Sequence, residues 1–296
     1  MRRLVVAACV ACLLAPLPAR AANGAVAGRI GVVAAENFFG DIARQIGGDT
    51  VAVTSILDNP AQDPHLFEAT PAVARALAGA DIAIANGAGY DPWMTKLLRA
   101  TRHRGRVAIV VADLVGKKIG DNPHIWYDPQ TMTALARRLA AVLANRDPAH
   151  AADDRKRLAA FLVSMAPIEA RIAALRARLA GTRVAATEPV FGYMFHALGM
   201  TVLERRFQLA VMNGTEPSAR DIATFENDLR SHRVKLLVYN AQAANPTATR
   251  MRQVARKAGV PVIGVTETEP PGLTWQQWML SVLDEVARAL PAPAPL

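Results

Sequence analysis

Only two of the 296 residues are cysteines, Cys9 and Cys12, and both lie in the first 22. That stretch has the marks of an export leader. Arg2 and Arg3 form a basic start, residues 4–14 an apolar middle, and Ala19-Arg20-Ala21 a small-x-small cleavage pattern near residues 21–22. The apolar run is too short to remain in a bilayer as a spanning helix. A lipid anchor on Cys12 is disfavoured by Cys9 three residues before it and by the leucines that follow. Without the leader the chain has no thiol, which excludes disulfides and thiolate ligands; any metal must be held by nitrogen and oxygen. HExxH, the helix motif of zinc hydrolases, is also missing. Taking Arg2, Arg3 and Arg20 from the 34 basic side chains leaves an excess of six over the 25 acidic ones. Its one dense cluster, Arg102-His103-Arg104-Gly105-Arg106, has no interleaved aromatics for bases to stack on, so it reads as a solvated loop and nucleic acid is excluded as a partner.

What remains, about 270 residues, suffices for two ordinary α/β domains. Short apolar stretches at 28–34, 51–57, 81–86 and 106–114 alternate with helical patterns at 36–46, 71–80, 92–100 and 129–145. Thr70-Pro71, Asp91-Pro92 and Asp128-Pro129 each pair a capping residue with proline at the first helical position. Such alternation predicts a parallel sheet flanked by helices. Residues 153–180 break the rhythm, with no glycine, one proline (Pro167) and apolar side chains at helical spacing. As one helix they would span roughly 42 Å, a rod between lobes, with Pro167 as its possible kink. Strands at 182–187, 201–206, 235–240 and 260–266 then restart the alternation. Ser218 with Asp221 caps the helix 219–230, and a last helix opens at Thr274. The expected organisation is an α/β protein of two lobes, each with a roughly four-stranded parallel sheet. The leader is 1–22, the first lobe 23–150, the bridging helix 151–181, the second lobe 182–290 and a disordered tail 291–296.

Two segments share one device. Asp63-Pro64-His65 and Asn122-Pro123-His124 each place an imidazole directly after an Asx-Pro pair. Proline fixes its own φ and extends its predecessor, so the histidine is presented stiffly, as a metal ligand requires. His65 follows the second strand and His124 the fourth. In the second half Glu188 ends the first strand and Glu267 the last. Open α/β sheets bind ligands outside the carboxyl ends of their strands. Two such edges face to face would set two imidazoles opposite two carboxylates.

DPHLFEATP, NGAGYDPWM, NPHIWYDP, TEPVFGYMFHALGM, EPSARDIA and VTETEPPG, in this order along the chain, resemble one family. It is the zinc/manganese-type solute-binding proteins of bacterial ABC importers, the TroA- and ZnuA-like group. The resemblance covers residues 28–289. It implies two lobes joined by a long helix, a divalent metal held between them as cargo, a periplasmic monomer that is not an enzyme, and an inner-membrane ABC permease as partner. Carried over by motif, the metal ligands are His65, His124, Glu188 and Glu267. Three departures matter. The fourth ligand is usually aspartate, and Glu269 lies near enough to compete with Glu267. Pro189 follows Glu188 and stiffens it. The histidine-rich loop of many zinc importers is absent, since residues 115–121 are short and contain no histidine.

The remaining histidines read as bystanders: His103, His150 and His232 as solvated, His196 as core or support for the site. Trp93 and Trp126 read as packing. Two other functions compete with this one: a metal-dependent hydrolase with three ligands and Glu269 as base, and a binder of small organic solutes, for which the chain lacks an obvious charged clamp. Two carboxylates with two imidazoles form a harder ligand set than three imidazoles. That favours Mn²⁺ or Fe²⁺ as cargo, although Zn²⁺ binds a given N/O site more tightly than Mn²⁺.

Overall fold

A computed structural model describes residues 28–291; residues 1–27, with the leader, and 292–296, all but the first residue of the expected tail, lie outside it. The first sheet comprises β1 (Ile30–Glu36), β2 (Val51–Leu57), β3 (Ile82–Ala85) and β4 (Val107–Val110), all parallel in the order β2-β1-β3-β4. Its helices are α1 (Asn37–Gly47), α2 (Pro71–Ala78), α3 (Pro92–Ala100), the single turn α4 (Val111–Leu114) and α5 (Pro129–Arg146). The capping residues perform as their chemistry dictates at two of the three proline-headed starts. Thr70 accepts from Val73 N–H and Asp128 from Gln130 N–H. Asp91 instead turns back to the backbone N–H groups of Asn86 and Gly87. The fourth strand is shorter than its apolar run suggested. Ala112 N–H bonds to Asn86 O beyond the end of β3, and the chain coils into α4.

The bridge is helical and bent. It consists of α6 (Ala151–Ser164) and α7 (Ala166–Leu179), which meet at Met165, so the expected long helix is present as two 14-residue segments with the bend two residues before Pro167. Pro167 stands in the first turn of α7, where its missing N–H has no intrahelical partner to lose.

The second sheet repeats the first: β5 (Arg183–Ala186), β6 (Thr201–Val202), β7 (Leu237–Asn240) and β8 (Val262–Val265), parallel in the order β6-β5-β7-β8. Around it lie α8 (Gly192–Ala197), α9 (Arg205–Met212), α10 (Ala219–Arg230), α11 (Pro246–Lys257) and α12 (Trp275–Ala289). The expected strand 201–206 ends after two residues. Glu204 adopts a left-handed conformation (φ 60°), which turns the chain into α9, a helix absent from the sequence reading.

Alternation along the strands sorts the apolar side chains into three clusters. Val33, Ala35, Ala83 and Ala85 pack under Leu77 and Met94 of α2 and α3. Ala185 and Leu237 pack under α9, α10 and α11. The opposite faces of both sheets feed one common core. Val32, Ala34 and Ile84 of the first sheet join Val184, Ala186 and Val265 of the second in it, with Phe38, Trp126, Phe191, Trp275 and Trp278. The lobes are therefore fused by buried apolar surface, with α12 of the second lobe reaching Phe38 of the first through Trp278 (ring centroids 6.1 Å apart). A wide hinge would have to open that core. Trp278→Ala should destabilise the protein by about 3–5 kcal/mol. Denaturant unfolding should show one cooperative transition for both lobes, not a selective loss of the second.

Candidate metal centre

All four expected ligands sit where the carboxyl ends of the two sheets face each other. His65 lies in a single helical turn (Pro64–Leu66) after β2, and Asp63 accepts its backbone N–H at 2.9 Å. His124 precedes the turn Ile125–Tyr127. Glu188 follows β5, and Glu267 follows β8. Three of them converge. His65, His124 and Glu267 offer ligand atoms all within 4.8 Å of one another. Glu267 Oε2 lies 3.3 Å from His65 Nε2 and 3.3 Å from His124 Nε2. Glu188 is one amide away. Asn240 Nδ2 donates to Glu188 Oε2 at 3.2 Å and also to Glu267 Oε1. Glu269 points elsewhere, toward Asp41 and Arg44, and lines a separate surface hollow. His196 is exposed and lines a different cavity with Tyr193 and Arg176.

Neighbours fix the direction of each group. Asn122 Oδ1 accepts from His124 Nδ1 at 2.6 Å, which puts the proton on Nδ1 and leaves Nε2 as a lone pair aimed into the centre. His124 Nε2 is buried and has no hydrogen-bond partner. Asn122 Nδ2 in turn donates to Pro189 O at 2.7 Å, and Tyr193 OH donates to Asn122 O at 2.7 Å. That junction is tight: a Cβ on Gly192 would lie 2.8 Å from Asn122 Nδ2. On the other side Tyr90 OH donates to Glu267 Oε2 at 2.9 Å. The backbone around Glu267 is held at every residue. Tyr127 OH donates to Thr266 O, Gln242 Oε1 accepts from Glu267 and Thr268 N–H, and Asn37 exchanges two bonds with the Glu269 backbone.

The electrostatics follow from burial and facing charge. Burial alone would raise the Glu267 carboxyl, but the imidazoles of His124 and His65 hold it well below the usual carboxylate range. Burial pulls His65 down, yet Glu267, with Glu188 and Asp63 beyond it, prevails and lifts the imidazole to about 9. His124, fully enclosed, is lowered, chiefly by that burial. Glu188 is pushed up to about 7 by burial and by the Glu267 charge. The resting arrangement is thus an ionised Glu267, a protonated His65 and a neutral His124. His124 Nε2, buried, without a hydrogen-bond partner and 3.3 Å from Glu267 Oε2, is a donor atom open to a cation at this point. This donor set of two nitrogens and carboxylate oxygens, dry on one side, fits a divalent transition metal.

Tyr90, Asn122, Asn240 and Gln242 were not picked out from the sequence as part of the centre. Asn122 carried a signal as the Asx of the Asn-Pro-His device, and Tyr90 lies within the motif NGAGYDPWM. Trp126 packs beneath the site, stacked on Phe38 at 4.8 Å, and Trp93 packs on Phe67 at 4.7 Å, as expected of bulky neighbours.

A cleft between two like α/β lobes, with inward-facing imidazoles from one and carboxylates from the other, defines a two-lobed binding protein. Residues 32–289 match the family described as zinc-uptake complex component A, periplasmic, and the chain belongs to that family. The motif resemblance is borne out. The metal ABC transporter substrate-binding lipoprotein ScbA of Streptococcus cristatus is 22% identical over 88% of this chain and 89% of its own length. A putative metal-binding protein of Thermotoga maritima is 39% identical over 90 residues, 30% of this chain and 31% of that protein. Among solved structures, the periplasmic zinc-binding protein TroA from Treponema pallidum superposes with a TM-score of 0.74 at 18% identity, over 88% of this chain and 99% of that one. FpvC from Pseudomonas aeruginosa, in complex with Mn²⁺, gives 0.71 at 20% identity, over 88% and 98%. At these identities the superpositions establish the fold.

Asn122→Ala should free the His124 ring to rotate and change tautomer. Loss of such an outer partner typically costs about 10–100-fold in metal affinity. Titration against a competing chelator measures the loss; an unchanged affinity would mean that Asn122 does not orient the ligand.

Proposed function

We propose that this chain is the periplasmic receptor of an ABC metal importer. It captures one divalent transition metal in the cleft and delivers it to an inner-membrane permease. His65 and His124 donate nitrogen, Glu267 and Glu188 donate oxygen, and the two carboxylates neutralise the ion so that it can be enclosed. The observation that carries this reading is the convergence of His65, His124 and Glu267 within 4.8 Å, with a buried, unpartnered His124 Nε2 lying 3.3 Å from a buried carboxylate. Glu188 is the fourth ligand in this reading. It joins when Asn240, which now links the two carboxylates, yields its place between them. The receptor works as a monomer, after the leader is cut near residues 21–22.

The base of the hydrolase reading, Glu269, lines a separate hollow with Asp41 and Arg44, away from the converging side chains, and burial pushes its carboxyl up to about 9. Carboxylates able to bind through both oxygens favour Mn²⁺ or Fe²⁺ as cargo, whereas competition in solution favours Zn²⁺. Uptake of labelled metals in cells with and without the gene separates the two. Loss of zinc uptake alone would overturn the manganese assignment.

Alanine at His65, His124, Glu188 or Glu267 should weaken metal binding by about tenfold or more, as loss of a direct ligand exceeds loss of an outer partner. Alanine at His196 should have little effect. Calorimetric titration checks each variant, with circular dichroism to show that the fold persists. Full affinity in Glu188→Ala would remove it from the ligand set.

Protons and metal compete for the same atoms. His65 is protonated up to about 9 and Glu188 in part up to about 7, and both must lose their protons to bind. Affinity should therefore rise from pH 6.5 toward 9, by about tenfold per pH unit for each proton expelled. Titrations in two buffers of different ionisation enthalpy count those protons. A pH-independent affinity over this range would contradict a ligand role for His65.

A further inference from the structure

The segment that carries His65 is tied down by the opposite lobe. Among the described residues, every hydrogen bond made by residues 58–66 is either local or made to the second lobe. The local ones are short turns: Ala61 N–H to Asn59 Oδ1, Gln62 N–H to Asn59 O, His65 N–H to Asp63 Oδ1, Leu66 N–H to Asp63 O and Phe67 N–H to Pro64 O. Among the described residues no hydrogen bond joins the segment to the body of its own sheet. Across the cleft, Gln242 Nε2 donates to Pro60 O and Gln62 O, each at 3.1 Å. The same side chain serves Glu267. Its Oε1 accepts from Glu267 N–H at 2.5 Å and Thr268 N–H at 3.1 Å, while Nε2 also reaches Thr268 Oγ1 at 2.9 Å. Gln242 itself is anchored, since its backbone N–H donates to Asn240 Oδ1 at 3.0 Å, the amide whose other end bonds Glu188 and Glu267.

We propose that Gln242 is a positioning residue that couples the His65 segment to the Glu267 segment, so that a ligand from each lobe is placed by one amide. This deepens the receptor reading, and rests on it for the consequence to metal binding. An amide is the right group because it donates on one side and accepts on the other. His65 is the exposed member of the converging trio, its side chain 28% accessible where those of His124 and Glu267 are 0%. Its position is the one that packing alone defines least. Holding the segment from across the cleft means that releasing it opens the exposed side of the site without disturbing His124 or Glu267.

The substitution Gln242→Glu separates the two halves of this contact. A carboxylate still accepts from Glu267 and Thr268 N–H but no longer donates to Pro60 O and Gln62 O. Amide hydrogen exchange on the metal-free protein should accelerate about tenfold or more at residues 58–67 in this variant, as expected for lost tertiary hydrogen bonds. The strands β5, β7 and β8 should exchange as in the wild type. In stopped-flow measurements with Zn²⁺ and a chelator, the dissociation rate should rise about tenfold, with association within about twofold, the usual division when a closed contact is weakened. Gln242→Ala, which removes both halves, should add faster exchange at residues 266–269. Unchanged exchange at 58–67 in Gln242→Glu overturns the coupling. Acceleration spread equally over the strands of the second lobe also overturns it, by showing a general structural role. Should the wild type hold no Zn²⁺ or Mn²⁺, the receptor reading fails, and the exchange comparison, which needs no metal, still decides the coupling.

Discussion

A carboxylate enclosed by protein and faced by two imidazoles sets the terms for everything around it. Glu267 can stay ionised in that place only because compensating groups are supplied, and they come from both lobes: Tyr90, His65 and His124 from the first, Asn240 from the second. The two sheet edges must meet at fixed distance for this to work. The common apolar core under the cleft supplies that fixity, since Phe38, Trp126, Tyr127 and Trp278 pack edge to face or stacked directly below the ligands. Polar chemistry above and apolar packing below are thus two parts of one constraint. A change that loosens the core should be felt at the ligands before it unfolds the chain.

The order of strands explains why the proposed ligands gather at one edge. Each sheet runs second-first-third-fourth, so the connections on either side of its first strand leave in opposite directions and open a crevice at the carboxyl edge. His65 leaves the strand beside that point in the first lobe, and Glu188 leaves the first strand of the second. Repetition of the same topology lets two crevices face each other, and only then do His65 and His124 of one lobe meet Glu267 of the other.

Much of this was legible beforehand, and for identifiable reasons. Alternating apolar patterns and proline-headed helices act over a few residues, so the eight strands and the starts of α2, α3, α5, α10 and α12 could be read directly. The Asx-Pro-His device is equally local. What stayed hidden depends on contacts made at long range. The helix α9 has no capping side chain and begins from a left-handed Glu204, which no periodicity announces. The bend at Met165 was visible only as an ambiguity about Pro167. Tyr90, Asn240 and Gln242 are ordinary polar residues in their own neighbourhoods. Their roles exist only across separations of 177, 27 and 182 residues to the groups they bond. The choice between Glu267 and Glu269 was of the same kind: two carboxylates two residues apart, told apart by which one the histidines face.

The last helix gives the molecule an order of assembly. Trp275 and Trp278, near the carboxyl terminus, complete the core that begins at Val32, and Trp275 Nε1 donates to the backbone of Trp126 at 3.1 Å. This core cannot close until the helix Trp275–Ala289 has been made and has docked, so the first lobe stays unfinished until then. The element that closes the core is thus the one made after every other element packed in it, and each earlier part of the first lobe depends on its arrival.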